Sequence, residues 1–369
     1  MTAKERKSRG QRRYFFYTIM SALIGAAVGY GAITLLLKPH PGHGHLSWWD
    51  LAGIFLILFP PLMLHEAGHV VFGLAQGFRF NFFVAGPVYI RRDGEKIAFT
   101  WNWNPALWGG RASCFPTQFG PDLKQKMIWF TAGGPLFSFL GGLAVVPAMM
   151  MRASHSEAAL PIMFFGIVSL AIGMGTLIPN SVGGSSDGAR ILMLLRNRPE
   201  GMRWVAMAGI SSLITAQRAR DWPAGLVELM GDAADDTPDS VSVCSLRYLW
   251  HSDRREWDEA GQWLDRGLEK IDAVPAPLRG ALYACGASFE ARQRGNAALA
   301  RKYFDLACKP GLIRRKDLHA VSARVLLAEG RHEEARAELA LAEDSIRSQP
   351  PALAESMRDD VDEMTSALA

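Results

Sequence analysis

Histidines at positions 65 and 69 enclose a glutamate in the run Leu62-Met63-Leu64-His65-Glu66-Ala67-Gly68-His69-Val70-Val71. On a helix, residues four apart project from one face, so the two imidazoles can share a tetrahedral zinc ion while Glu66 serves as general base for a water activated by the metal. The surroundings sharpen that reading. In an otherwise apolar segment of spanning length, each charged group costs roughly 2 to 3 kcal/mol unless partnered, and a metal supplies the partner. The alternative is a set of polar helix-end residues lying at a membrane interface.

Catalytic zinc sites usually hold three protein ligands and keep one position open for water. Two histidines therefore leave one ligand to be found. Asp187 is the candidate, in Leu177-Ile178-Pro179-Asn180-Ser181-Val182-Gly183-Gly184-Ser185-Ser186-Asp187-Gly188, where an apolar segment ends on the same expected side of the membrane as His65 and His69. Taken alone, Asp187-Gly188 reads as a turn pair before a helix that begins near Ala189.

Together, His65 to His69 on an apolar helix, a later Ala132-Gly133-Gly134-Pro135-Leu136 and the Pro179 to Asp187-Gly188 segment resemble the site-2 protease family of intramembrane metalloproteases, over residues 48 to about 195. The resemblance implies one zinc ion per chain held by His65, His69 and Asp187, with Glu66 as catalytic base. It also implies membrane-anchored protein substrates cut within or next to the bilayer. The chain departs from the family's Asn-x-x-Pro run: Asn180 follows Pro179, and a Gly- and Ser-rich stretch separates Pro179 from Asp187. Gly134 and Pro135 read as helix-packing positions that could also open the backbone near substrate, and Asn180 as a site-shaping position. The alternative function is a non-catalytic membrane scaffold or pseudoprotease acting through its C-terminal helices. Glu66 argues against it, because a purely structural metal has no use for a base between its ligands. A metal transporter, the third reading, calls for ligands spread along a path rather than clustered at one depth.

The elements that must position these residues are apolar and helical. Four stretches have spanning length, at 14 to 37, 48 to 75, 127 to 151 and 159 to 180. Residues 1 to 202 carry eighteen Lys or Arg against nine Asp or Glu, and these cluster in the 1 to 13 tail, in the 76 to 126 connection and after the fourth span. The positive-inside rule places those segments, and both termini, in the cytoplasm of a multi-pass protein of the cell (inner) membrane. Tyr14 to Leu37 is read as an uncleaved first span, because it is long enough to cross and ends without a small-residue cleavage site. Within 76 to 126, the runs Phe80 to Val84, Val88 to Ile90 and Ile97 to Trp101 around Arg92-Asp93-Gly94 predict a small hairpin or sheet that dips into the interface or packs on the helices. These strands are expected to hold an extended substrate segment. Pro60-Pro61, one turn before His65, predicts a break and restart of the helix, or else a tolerated kink.

Residues 203 to 369 are of another kind, with twenty-two Lys or Arg against twenty-seven Asp or Glu. Short amphipathic helices there share a weak repeat in which Ala260, Ala300 and Ala335 occupy matching places, with Ala224 a possible earlier copy. The spacing resembles tetratricopeptide repeats, and a plain antiparallel helical bundle is the alternative. A soluble cytoplasmic domain that binds a protein partner is expected. The fold class is thus mainly α: a polytopic membrane helical core (14 to 202) with a small membrane-associated sheet, followed by a helical repeat-like domain. No basic stripe interleaved with aromatics appears, which sets nucleic acid aside. Cys114, Cys244, Cys285 and Cys308 lack paired spacing and read as reduced thiols. His40, His43 and His45 sit among Pro and Gly as a connector, and Trp48, Trp49 and Trp129 read as interfacial anchors facing the lipid bilayer.

Overall fold

The computed structural model describes residues 48–94, 96–103, 108–153, 159–180, 185–276, 279–309, 313 and 315–368. The expected basic tail, first span and histidine connector lie outside the described residues. So do residues 154–158 of the second outward loop and Ser181 to Gly184. The described chain is mainly helical with one small antiparallel sheet, and it divides into two compact units, Met1–Val205 and Ala206–Ala369.

The first unit is built on α1 (Trp48–Ala75), α2 (Leu123–Gly142), α3 (Val145–Ala153), α4 (Ala159–Leu177) and α5 (Asp187–Leu195). Small residues set how closely these helices approach. A Cβ on Gly68 would lie 2.2 Å from the Gly133 carbonyl oxygen, and one on Gly133 would lie 2.3 Å from that of Gly68, so the backbones of α1 and α2 touch where the two glycines meet. Gly141 and Gly142 of α2 admit Ser169 and Leu170 of α4 in the same way, and Gly173 of α4 admits Ser138. The expected third span, 127 to 151, is divided between α2 and α3. Gly141-Gly142 ends the first piece, and Pro147 near the start of α3 has no N–H to continue the ladder. Among the described residues, the stretch Leu123–Arg152 has the length and apolar character to cross a membrane, while Pro161–Leu177 is apolar but shorter. The break expected at Pro60-Pro61 does not occur, because α1 runs through both prolines as one 28-residue helix. Two missing N–H groups are tolerated where the following turns are fixed by close packing on α2.

Between α1 and α2 lie β1 (Arg79–Ala85), β2 (Val88–Asp93), β3 (Lys96–Trp101) and β4 (Arg111–Phe115), in the order β3-β2-β1-β4 and all antiparallel. The first three match the expected strands. The sequence reading missed the fourth, a run of five residues without strong alternation whose register is imposed by β1: Val84 faces Arg111, Phe83 faces Ala112, and a bulge follows between Phe82 and Phe80. Phe83, Val84 and Ala85 bury the inner end of β1. On β3 the alternate residues Ile97, Phe99 and Trp101 are exposed, and Trp103 beyond them is 82% exposed.

The second unit holds three helical hairpins, α8 with α9 (Pro238–Asp253, Trp257–Glu269), α10 with α11 (Gly280–Arg292, Ala297–Ala307) and α12 with α13 (His319–Ala328, His332–Arg347), and ends in α14 (Pro351–Leu368). It is preceded by α6 (Pro199–Leu213), in which the two units meet in sequence, and by the short α7 (Ala224–Leu229). The repeat read from the alanines has a physical basis. Each hairpin turns through a residue at positive φ, at Arg255, Gly295 and Gly330. Five residues after each, Ala260, Ala300 and Ala335 have no exposed surface. In the first and third hairpins the chain reverses through a bond from Glu256 N–H to the His251 carbonyl and from Arg331 N–H to that of Leu326, both 2.9 Å, as in a Schellman cap. Ala224 is not an earlier copy, for it is exposed at the start of a helix of only six residues. The four cysteines are free thiols, Cys114 and Cys244 buried.

Candidate metal centre

His65, Glu66 and His69 lie on successive turns of α1 and are all buried. The two imidazole rings stand edge to face, 5.0 Å between centroids. Both Nε2 atoms are aimed at Asp187, the first residue of α5. Its Oδ2 is 3.2 Å from Nε2 of His65 and 3.6 Å from Nε2 of His69. The three donor atoms lie within 4.8 Å of one another. A tetrahedral zinc about 2.0 to 2.2 Å from each ligand needs those ligands about 3.3 Å apart, which the two histidine–aspartate distances match.

The second ring nitrogens decide what the first can do. Nδ1 of His69 lies 3.0 Å from the carbonyl oxygen of Phe130. A carbonyl only accepts, so Nδ1 carries the hydrogen and a neutral His69 presents a lone pair at Nε2. Nδ1 of His65 lies 2.9 Å from the hydroxyl of Ser138, which has no exposed surface. Imidazole nitrogens and a carboxylate converging in a buried space repel one another unless a cation or added protons lie between them. A divalent metal satisfies all three at once.

Asp187 is delivered by short-range contacts. A Cβ on Gly188 would lie 1.9 Å from the Leu177 carbonyl oxygen, so the first turn of α5 presses against the end of α4. Ser186 caps α5, its Oγ accepting from Ala189 N–H at 3.2 Å, and the same hydroxyl donates to the Ile178 carbonyl at 2.8 Å. Ser186 N–H donates to the Asn180 carbonyl at 2.7 Å, and Asn180 N–H donates to Ser186 Oγ at 3.0 Å. These bonds to the Asn180 backbone join the two described ends of the segment, Asn180 and Ser186.

The remaining predicted positions divide in two. A Cβ on Gly134 would lie 2.3 Å from Nε2 of His69 and 2.8 Å from Nε2 of His65, so Gly134 forms a wall of the centre. Pro135 is buried next to it inside α2. Sequence reasoning missed four participants. Ser138 could have been found as a polar residue one turn after Gly134 in an apolar helix. The Phe130 carbonyl carries no side-chain signal. Gly110, at φ +85°, leaves room where a Cβ would come within 2.6 Å of Glu66 Oε1, and the backbone N–H of Ala112 in β4 lies near the same carboxylate. No known family, curated protein or solved structure matches this chain.

Proposed function

We propose that the chain is a zinc metalloendopeptidase of the site-2 type, embedded in a membrane as a multi-pass protein and hydrolysing peptide bonds of membrane-anchored proteins within or beside the bilayer. The observation that carries this reading is the convergence of His65 Nε2, His69 Nε2 and Asp187 Oδ2 with Glu66 adjacent on the same helix face. The donor set fits zinc, and an ion held there would supply Lewis-acid polarisation of a carbonyl and of water. Glu66 accepts the proton of the attacking water and returns it to the leaving amine. Ser138 and the Phe130 carbonyl fix the ring orientations of His65 and His69. Arg111 and Ala112 place the start of β4, and with it positive charge, near the Glu66 carboxylate.

Substrate must arrive extended, because helical carbonyls are tied up in their own hydrogen bonds. The strands at 80 to 101 were the expected cradle, yet the strand that reaches Glu66 is β4, which is also an edge of the sheet. A segment laid along β4 is therefore delivered to the base. The exposed Ile97, Phe99, Trp101 and Trp103 suit the lipid interface. The second unit supplies a cytoplasmic protein-binding module of helical hairpins.

The test compares the parent chain with Glu66→Gln and Asp187→Ala in detergent or liposomes, measuring zinc content and cleavage of a membrane-tethered reporter. The reading requires that the parent binds zinc and cuts, that Glu66→Gln keeps zinc and stops cutting, and that Asp187→Ala loses zinc. A parent chain that binds no zinc overturns it. Bound zinc without cleavage of any tethered reporter favours the scaffold.

A further inference from the structure

Outside the metal centre, the densest charged arrangement lies on one side of α14. Arg218, which precedes the first hairpin, donates to Asp359 at 2.6 Å and to Glu355 at 3.3 Å. Arg292, closing α10, pairs with Asp360 and Glu363. Arg324 of α12 donates to Glu363 at 2.7 Å and pairs with Asp360. Three arginines from successive parts of the unit thus meet four carboxylates spaced along one helix. Ala354, Val361 and Met364, on the other side of that helix, pack with Ala323, Leu339, Ala342 and Ile346.

The two partners are unequally committed. The side chains of Arg218 and Arg324 are 7% and 8% exposed, whereas those of Glu355 and Asp359 are each 56% exposed. Arg218 is also gripped by Asp253, and Arg292 lies over the Trp257 ring at 4.7 Å. Arg218 and Arg292 thus keep partners outside α14, in Asp253 and Trp257. α14 also fills this region incompletely. A cavity of about 420 Å³ remains, with Tyr248, Trp257 and Phe289 on its wall and the small Ala352 and Ser356 of α14 facing it.

We propose that this arginine-lined groove is a docking site for an acidic amphipathic helix of a partner protein, and that α14 occupies it as an intramolecular stand-in. The ligand chemistry is given by α14 itself: carboxylates at the four positions that meet Arg218, Arg292 and Arg324, with an apolar side chain larger than Ala or Ser directed into the cavity. A guanidinium fork matches the two oxygens of a carboxylate. Displacing α14 would expose the groove and change what the module recruits.

The probe is a fluorescein-labelled peptide with the sequence of residues 350–368, titrated by anisotropy against the full chain in detergent. The full chain carrying Glu355→Gln, Asp359→Asn, Asp360→Asn and Glu363→Gln keeps the apolar stripe of α14 but loses its acids. It should bind the probe at least tenfold more tightly than the parent chain. Placing leucine at positions 352 and 356 of the probe should tighten binding further. Adding Arg292→Glu to the full chain should abolish capture of this probe and restore capture of one bearing lysine at 360 and 363. Arg292 is a quarter exposed, so that variant retains its fold even where a deeper substitution would not. Equal binding by parent and acid-neutralised chains, or capture indifferent to Arg292→Glu, overturns the proposal.

Discussion

At Gly134 the absence of a side chain is what leaves room for the two histidine Nε2 atoms. Even a methyl group there would sit 2.3 Å from His69 Nε2. Gly134→Ala is therefore expected to lower zinc affinity at least about tenfold, read by metal analysis after dialysis, with helix content by circular dichroism unchanged. Ser138→Ala removes the partner of His65 Nδ1 without touching the donors. A loss of about 10- to 100-fold in zinc affinity is expected, with partial recovery in Ser138→Thr. Were zinc binding indifferent to Ser138→Ala, its positioning role would be wrong. His65, Glu66 and His69 were legible because their spacing puts them on one side of a helix, whereas Asp187 was reached only as the missing third ligand at the end of a later apolar segment. Ser138, Phe130 and Gly110 were not legible, because what they contribute is a hydroxyl, a carbonyl and an empty volume, whose importance exists only once α2 and β4 are placed.

At the scale of elements, the crossing of α1 and α2 rests on Gly68 and Gly133, whose backbones meet with no space for a Cβ. Gly68→Val forces carbonyl and side chain into the same volume and is expected to cost more than about 2 kcal/mol, seen as a lowered unfolding temperature together with loss of zinc. In the second unit, Asp253 is nearly enclosed beside Arg218. Burial opposes its ionisation, but the Arg218 side chain and the Arg220 backbone N–H outweigh burial and hold the carboxyl below its ordinary value. A carboxyl lowered in the folded state stabilises it above the unfolded value of about 3.9 and loses that contribution as pH falls toward the folded value. Unfolding followed between pH 7 and pH 3 should show stability falling below about pH 4, with a smaller fall in Asp253→Asn. An unchanged pH profile in that variant would remove Asp253 from the account. The hairpins themselves were readable because each turn imposes a small residue five positions on, which the alanines record. Ala224 misled because a lone alanine carries no information about whether a second helix lies over it. For Pro60 and Pro61 the sequence left a break and a tolerated kink both open, because the packing that decides between them comes from other elements, and the helix runs on.

For the whole molecule, the two units carry different dependences on metal. Chelation is expected to lower the unfolding temperature of the first unit by several degrees and to leave the transition of the second where it was, followed by calorimetry in detergent with and without added zinc. A single transition that moves as one would show that the units do not unfold separately. The division into a basic apolar part and an acidic hairpin part was visible in the charge counts, and the boundary at Val205/Ala206 falls close to the expected change near residue 203. What charge could not show is that Asp187 and the histidines belong to opposite ends of one long excursion of the chain. About 120 residues of sheet and helix lie between His69 and Asp187, and closing a loop of that length costs little more than closing a short one, since each doubling adds only about 0.6 kcal/mol. An ion at this centre would thus act as a removable clasp on a very large ring, drawing together everything from β1 to α5. Under the proposed function, a newly made chain would then carry its own checkpoint: until the ring closes, Asp187 and the two histidines have no shared partner to hold them together.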